Sequence, residues 1–147
     1  LQPWSGNTKK RLVKAPKLYL RDSGLALRFI MISDYESLLG NPVIGAGWEG
    51  YVVENILSEL SDMWRSSFYR TSAQLEANLV LEGPGKQVFA VEIKRSTAPT
   101  VSKGFHYACH EVKATHKVVT YPGNENFPLP NSVEAMSLKS FLKILLR

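Results

Sequence analysis

Glu92 and Lys94 end a stretch that otherwise reads as a dry β-strand, VFAVEIKRS (88–96). Because side chains alternate along a strand, these two residues share one face. A carboxylate or an ammonium inside a protein costs stability unless it is paired or put to chemical use. The two charges are therefore either a simple ion pair at a strand end or part of a chemical site.

Asn78 is the polar position in the preceding strand, EANLVLE, which a GPGK turn joins to the next strand. Asn78 lies opposite Glu92 only if Glu82 pairs with Val88, or if a bulge shifts the register. The alternative pairing, one residue away, would put the two side chains on opposite faces of the sheet. In a regular strand, Asn78 would also face the same way as Glu76.

Glu49 is a third polar position, on the helix predicted over residues 46–64 (AGWEGYVVENILSELSDMW). At about 100° per residue from Trp48, Glu49 falls in the middle of the apolar stripe, whereas Glu54 falls on the opposite side, at about 240°. Glu49 therefore points to the core in this prediction. An alternative is that it is a first-turn glutamate that complements the helix dipole.

These residues form one candidate site, with Glu49, Asn78 and Glu92 around a metal and Lys94 beside them. Mg²⁺ prefers carboxylate and other oxygen ligands and keeps several waters. A metal held in this way polarises a phosphodiester and helps to generate hydroxide. A lysine two residues from a ligand orients that water or neutralises developing phosphate charge. Mg²⁺ or Mn²⁺ is thus the cofactor that the sequence suggests, with Glu92 and Lys94 as catalytic residues.

The positive charge is concentrated near the start of the chain. Residues 1–28 hold seven Lys or Arg and one acid, while the other 119 hold eleven basic and twelve acidic residues, for a net charge of +5. Such a segment either meets nucleic-acid phosphates or is a solvated linker. Arg70 and Arg95, near the strand ends, contact phosphate or bridge carboxylates. The predicted nucleic-acid-binding residues are Lys10, Arg11, Lys14, Arg70 and Arg95.

The predicted elements suggest one α/β domain. KLYLRD is a short strand or an extended lead-in. A helix through LALRFI follows, with Asp22 or Ser23 as its cap, and a second helix lies in SDYESLLG, with Ser33 as its cap. NPVIGAG is predicted to be a loop. After the 46–64 helix come three strands that can form an antiparallel meander, a helix (SKGFHYACHEVKA), a strand (HKVVTYP), a loop and a last helix (SLKSFLKILLR). This order predicts a mixed sheet flanked by helices, with an N-terminal helical extension.

The composition narrows the class of protein further. No run approaches the 18 or so apolar residues of a membrane span, and no signal peptide is evident. The single cysteine, Cys109, excludes an internal disulfide and favours a cytoplasmic home, where we expect it to be a buried thiol. His106 and His110 are spaced like zinc ligands, but they lack a third ligand, so packing or surface roles are expected. The chain begins at Leu1, which suggests a fragment or a processed product.

The order of these elements, with Glu…Asn…Glu-x-Lys, resembles the PD-(D/E)xK nuclease superfamily, whose fold is called restriction-endonuclease-like. Four stretches, PWSGNTKKRLVKAPKLYLRDSGL, GNPVIGAGWEGYVVENIL, FYRTSAQLEANLVLE and VFAVEIKRSTAPTVSKGFHYA, are similar to the C-terminal uncharacterised domain of many prokaryotic AAA-type ATPases. This resemblance implies a connector over residues 1–16, a restriction-endonuclease-like domain over 17–147 and an ATPase module outside this chain. The chain itself has no nucleotide site, because GPGKQ lacks the glycine spacing and the Ser/Thr of a P-loop.

The chain departs from the nuclease pattern at one position. Asn78 stands where the family has a metal-ligating Asp, and an amide offers a neutral oxygen but no charge. Glu76 is a substitute on the same strand, displaced by two residues. The sequence therefore predicts a nucleic-acid-associated domain whose metal-dependent phosphodiesterase site is impaired. The alternative is a non-catalytic interaction or regulatory domain that contacts the ATPase module or another protein.

Overall fold

The computed structural model of this protein describes residues 1–8 and 11–146. A six-stranded mixed sheet, in the order β1-β2-β3-β4-β6-β5, forms the centre of the fold. Its strands are β1 (Arg65–Arg70), β2 (Glu76–Glu82), β3 (Val88–Ile93), β4 (His116–Tyr121), β5 (Phe127–Leu129) and β6 (Val133–Ser137). The helices are α1 (Ser23–Phe29), α2 (Tyr35–Leu39), α3 (Ile44–Glu59), α4 (Lys103–Glu111) and α5 (Leu138–Leu145). The mixed sheet flanked by helices that the sequence predicted is confirmed.

The first three strands form the predicted antiparallel meander. The β2–β3 connection is a short 3₁₀ turn, Pro84–Lys86, in which Gly85 has φ +67°, a conformation that glycine adopts without strain. Helix α4 then crosses over the sheet, so that β4 pairs parallel to β3, and β6 pairs parallel to β4. The crossover places the carboxyl end of β3 beside the amino end of α4.

Two apolar layers cover the sheet. One contains α4 residues Phe105 and Ala108, which pack on Ala77, Val80 and Ala90. The other layer joins α3 and α5 to the opposite face. Its main residues are Val52, Ile56, Leu79, Leu81, Phe89, Val91, Phe141 and Leu145. Among the described helices, none combines the length and the apolar character needed to cross a bilayer.

Both edges of the sheet are protected. The Trp4 N–H donates to the Phe68 carbonyl, and the Phe68 N–H donates to the Gln2 carbonyl. Leu12 forms a bridge with Thr71, so residues 2–4 and 11–13 run along the outer side of β1. At the other edge, the three-residue strand β5 contains Pro128, which has no N–H to offer a further strand. Residues 1–16, predicted as a connector, thus include a segment that follows the sheet, and Trp4 is only 8% exposed.

Several helix boundaries differ from the prediction. Helix α3 begins at Ile44, inside the predicted loop, and ends at Glu59 rather than Trp64. It ends where the backbone becomes extended at Leu60, with ψ 137°. Trp64 then packs its ring against Phe89, with 5.9 Å between ring centroids, at the entry to β1. Asp34, not Ser33, caps α2, since its side chain accepts hydrogen bonds from both the backbone and the hydroxyl of Ser37. Asp22 caps α1 as predicted.

Two strands were missed, and of the two alternatives for KLYLRD the structure shows the extended lead-in. KLYLRD forms no strand, because its residues contact side chains of α3 and β2 instead of pairing with the sheet. Strands β5 and β6 lie in a stretch that reads as a Pro/Asn/Gly loop followed by a helix. Each is too short for alternation of apolar and polar residues to be visible.

Trp4 offers a test of how firmly the N-terminal segment is packed. Its ring lies 5.9 Å from that of Tyr69 and belongs to the α4-side core. Trp4→Ala should lower the free energy of unfolding by about 3 kcal/mol, as for other buried tryptophans. Urea denaturation measures this, with Met63→Ala, at a side chain 69% exposed, as the control expected to change stability by less than about 0.5 kcal/mol. Equal small effects would mean that the segment is a loose connector.

Candidate functional site

Lys17 lies at the centre of a charge cluster that joins three parts of the chain. Its Nζ donates to Glu49 Oε1 of α3 at 2.9 Å and also to Glu76 Oε1 of β2. The three side chains are 17–24% exposed. Arg70 Nε approaches the other oxygen of Glu76 at 3.4 Å. Two carboxylates that would repel one another are therefore held together by cations from this chain.

Tyr19 adds a second protein group to the same glutamate. Its hydroxyl donates to Glu49 Oε1 at 2.6 Å. Its ring approaches α3 at Gly50, where a Cβ would lie 3.3 Å from a ring carbon. Burial, then the hydrogen bond to Glu49, raise the pKa of Tyr19 well above its ordinary value near 10. Tyr19 therefore stays a neutral hydrogen-bond donor. Lys17 neutralises the charge of Glu49, as a bound metal would otherwise do, and Tyr19 donates a hydrogen bond to it.

Glu92 lies on the α4 side of the sheet and is 6% exposed. Its Oε1 accepts hydrogen bonds from Lys94 Nζ at 2.8 Å and from the hydroxyl of Ser102 at 3.1 Å. Ser102 is the N-cap of α4, so the crossover brings that helix end to the carboxylate. Glu92 Oε2 is buried and has no hydrogen-bond partner among the described residues. The predicted proximity of Glu92 and Lys94 is confirmed, in the geometry of an ion pair.

Asn78 lies in the register that the candidate site requires. Glu82 pairs with Val88, and Leu79 pairs with Val91, which places Asn78 beside the end of β3. Asn78 Oδ1 accepts a hydrogen bond from the backbone N–H of Ile93 at 2.9 Å. The side chain thus satisfies a backbone donor of the sheet, as well as being a neighbour of Glu92.

A bulge alters the faces of β2. The β1–β2 register shifts between Ser67 and Tyr69, and Ala77 packs in the same core layer as Val80. The regular alternation assumed for β2 is therefore broken between Ala77 and Val80, and Glu76 does not share a face with Val80. Glu76 instead meets Lys17 and Glu49.

The predicted metal ligands have different partners in the structure. Glu49 is bonded to Lys17 and Tyr19, whereas Glu92 is bonded to Lys94 and Ser102. Within residues 1–8 and 11–146, no three His, Cys, Asp or Glu side chains are arranged to hold a metal ion. As arranged, the set fits Mg²⁺ poorly, because an ammonium and a hydroxyl group already occupy Oε1 of Glu49.

The predicted nucleic-acid-binding residues divide between two places. Arg11, Lys14 and Arg70 lie near one another beside β1, since backbone hydrogen bonds join Ser72 to Arg11 and Val13 to Arg70. Arg11 and Lys14 border a shallow recess there. Arg95 instead lines a large apolar groove beside α3. Lys10 lies outside the described residues.

Cys109 is buried, as predicted, and burial raises the pKa of its thiol to about 12. A thiol with so high a pKa is a poor nucleophile at neutral pH.

Sequence reasoning missed Lys17, Tyr19 and Ser102. The signal for the first two is the alternation in KLYLRD, which puts Lys17 and Tyr19 on one side of an extended segment. Ser102 was readable as the cap of α4, but its contact with Glu92 depends on the crossover. Glu54, predicted to lie opposite the apolar stripe, is also partly covered, with a side chain 21% exposed near Arg21.

The hydrogen bond from Ile93 to Asn78 can be tested by truncation. Asn78→Ala should lower the free energy of unfolding by about 1–3 kcal/mol, because the Ile93 N–H loses its partner in a partly buried setting. Asn55→Ala is the control, since the Asn55 side chain bonds to Tyr51 at an exposed site. Denaturant unfolding of both variants makes the comparison. A loss no larger than that of the control would show that Asn78 has no role in the sheet.

The pKa of Tyr19 predicts a pH dependence of stability. The folded protein holds the Tyr19 proton more tightly than the unfolded chain, so this contribution is full below a pH of about 10 and is lost as the pH rises toward the folded-state pKa. The free energy of unfolding should therefore fall more steeply above a pH of about 10 in the unaltered chain than in Tyr19→Phe. Urea unfolding at several pH values measures the slopes, with Tyr35→Phe, at a residue 69% exposed, as the control. Equal slopes for the unaltered chain and Tyr19→Phe would contradict the raised pKa.

Comparison with known proteins assigns the chain to a family. Residues 44–141 match the family described as "Domain of unknown function (DUF4143)". Uncharacterised proteins of Mycobacterium tuberculosis and Mycobacterium bovis are each 34% identical to this chain over 142 residues, which is 97% of the chain and 32% of each relative. This chain thus spans about a third of the length of these relatives. No solved structure matches it. The chain belongs to the DUF4143 family.

Proposed function

We propose that this chain is a non-catalytic protein-interaction domain of a longer AAA-type ATPase, built on a restriction-endonuclease-like fold. The observation that carries this proposal is the position of Lys17, whose ammonium bonds to both Glu49 and Glu76. A carboxylate that is already paired with an internal cation must lose that partner before it can bind a metal. An ammonium attached to the chain is always present, whereas a metal must also shed part of its water shell.

The other predicted site residues support the same proposal. Asn78 uses its oxygen to satisfy the Ile93 N–H, and Lys94 is paired with Glu92. A lysine held on a carboxylate is poorly placed to meet a scissile phosphate. Arg70 is likewise engaged by Glu76 and by the Gln74 side chain, 2.9 Å away.

The exposed surface also favours interaction with another protein. Large apolar side chains are exposed on and around α1 and α2, including Leu18 at 91%, Phe29 at 72% and Met31 at 90%. Monomeric proteins rarely expose contiguous apolar patches of more than a few hundred Å². The link to an ATPase rests on the sequence resemblance, and the relatives, about three times as long as this chain, have room for such a module.

A metal-dependent phosphodiesterase is the second candidate, and one observation favours it. Glu92 Oε2 is buried and lacks a hydrogen-bond partner among the described residues, although an unsatisfied buried carboxylate oxygen is costly. In this candidate, Glu92 and Asn78 hold Mg²⁺ or Mn²⁺, with Glu49 added if Lys17 moves away. The bound metal would supply polarisation of the phosphodiester. Lys94 would neutralise the developing charge, and Arg11, Lys14 and Arg70 would contact the nucleic-acid backbone.

The deciding experiment is a cleavage assay on single- and double-stranded DNA and RNA with Mg²⁺ or Mn²⁺. It compares the unaltered chain, Asn78→Asp and Asn78→Asp combined with Lys17→Gln. We expect the unaltered chain to cut none of these substrates. Asn55→Asp, which adds the same charge at an exposed position, is the control for the added carboxylate.

The outcomes separate the two candidate functions. Cleavage by the unaltered chain that is lost in Glu92→Gln would overturn the non-catalytic proposal in favour of the phosphodiesterase. Cleavage only after Asn78→Asp, alone or with Lys17→Gln, would support the proposal and would show that those positions disable the site.

A further inference from the structure

The two short N-terminal helices form an apolar surface that this chain leaves uncovered. Neither α1 nor α2 contains a buried residue. We define the α1–α2 face as these helices, the turn between them and the adjoining Leu18 and Leu20. Leu18, Met31 and Phe29 are its most exposed apolar side chains, and the turn places Met31 at φ +58°.

The same face also contains a recess. A groove of about 920 Å³ runs between α1–α2 and the first half of α3. Its walls are mainly apolar and include Leu27, Leu38, Ile44 and Trp48. Projecting apolar side chains and an apolar groove therefore lie side by side, which is what a self-complementary surface requires.

The charges on this face are also self-complementary. Arg28 is in the last turn of α1 and Glu36 is in the first turn of α2. Both are exposed, and neither forms an ion pair within the described part of the chain. In a two-fold dimer with its axis near the α1–α2 turn, Arg28 of each copy meets the partner's Glu36.

The composition and extent of the face suit an interface. Met, aromatic residues and Arg are enriched at protein interfaces, and this face offers Met31, Phe29, Tyr35 and Arg28. A stable dimer typically buries about 800 Å² on each partner. Aromatic side chains each bury about 150–250 Å², so Phe29 and Tyr35 alone make up a substantial part of that area.

We propose that two copies of this chain form a two-fold dimer through the α1–α2 face. Phe29 and Met31 of each copy enter the groove of the other, and Arg28 pairs with the partner's Glu36. The inference rests on the proposed interaction function, because it names the surface and the partner. A dimer also places the two Lys17 clusters on either side of one interface, since Lys17, Tyr19 and Glu49 line the groove.

Sedimentation velocity of the purified chain over about a hundredfold range of concentration tests the dimer. We expect a monomer–dimer equilibrium in the unaltered chain. Phe29→Glu combined with Met31→Glu should raise the dimer Kd by at least about tenfold, because both charges would be buried in the partner's groove. Met63→Glu, at an exposed methionine outside the α1–α2 face, is the matched control and should leave the dimer intact. Circular dichroism and thermal unfolding verify that each variant is folded.

A charge swap tests the geometry of the pairing. Arg28→Glu should weaken the dimer, and Arg28→Glu combined with Glu36→Arg should restore it. A monomer at every concentration would overturn the inference, as would a dimer that Met63→Glu disrupts and the Phe29/Met31 double variant does not. Failure of the combined charge swap to restore association would overturn the two-fold pairing of Arg28 and Glu36.

These outcomes are independent of the cleavage assay. A dimer that also cuts nucleic acid would overturn the non-catalytic function and retain this surface. A monomer that cuts no nucleic acid would overturn the dimer surface and retain the non-catalytic function.

Discussion

The arrangement of the N-terminal region depends on one ammonium group. Lys17 Nζ contacts carboxylates from α3 and β2, elements separated by the whole of β1, and lies 5.3 Å from the centre of the Phe68 ring. Without a cation there, Glu49 and Glu76 would repel each other in a partly dry setting, where charge interactions are stronger than in water. Breaking such a half-buried pair leaves one charge uncompensated, which is costly. Together with the Tyr19 hydrogen bond to Glu49, this contact holds the lead-in to α1 against α3 and β2.

Glu92 represents the opposite case, a buried charge that is only half satisfied. Lys94 and Ser102 use one oxygen, and the crossover helix α4 covers the carboxylate. Asn78 is also near the end of β3, but its amide oxygen accepts the hydrogen bond of the Ile93 N–H. Two neighbouring polar groups therefore differ in their freedom. The Asn78 amide is fixed by its hydrogen bond to the strand backbone, whereas the Glu92 carboxylate still has one oxygen that could accept a hydrogen bond.

The sequence identified those parts of the fold that rest on local patterns. The meander could be predicted because EANLVLE and VFAVEIK are apolar runs joined by a turn that needs Gly85. The apolar stripe indicated that one face of α3 is buried, and Val52, Val53 and Ile56 are buried in the structure. In contrast, β6 depends on pairing with β4 across an intervening helix and loop, and five residues carry no periodic signal of that pairing. The end of α3 was missed because Trp64 packs across the sheet rather than along the helix.

The site was harder to predict, for a physical reason. The β2–β3 register was one of two that the sequence allowed, and the observed one brings Asn78 to the end of β3, where it accepts from the Ile93 N–H. The bulge opposite Ser67 and Tyr69, which turns Glu76 toward α3, has no marker such as a glycine in β2. The partners of Glu49 come from a segment some thirty residues upstream, which no pattern within α3 reveals. Spacing thus identified the charged groups, while long-range packing determines what neutralises them.

The closed edges of the sheet restrict how this molecule can grow into larger assemblies. Residues 2–4 and 11–13 lie along β1, and Pro128 lies in the short edge strand β5, so neither edge offers a continuous free row of backbone donors and acceptors. Self-association by strand addition is disfavoured, and helices remain as the exposed surface for it. The protection is unequal, however. Pro128 is part of its own strand, whereas β1 is protected by a separate stretch of chain that a protease could remove. Removal of that stretch would expose the β1 edge as a template for fibril growth.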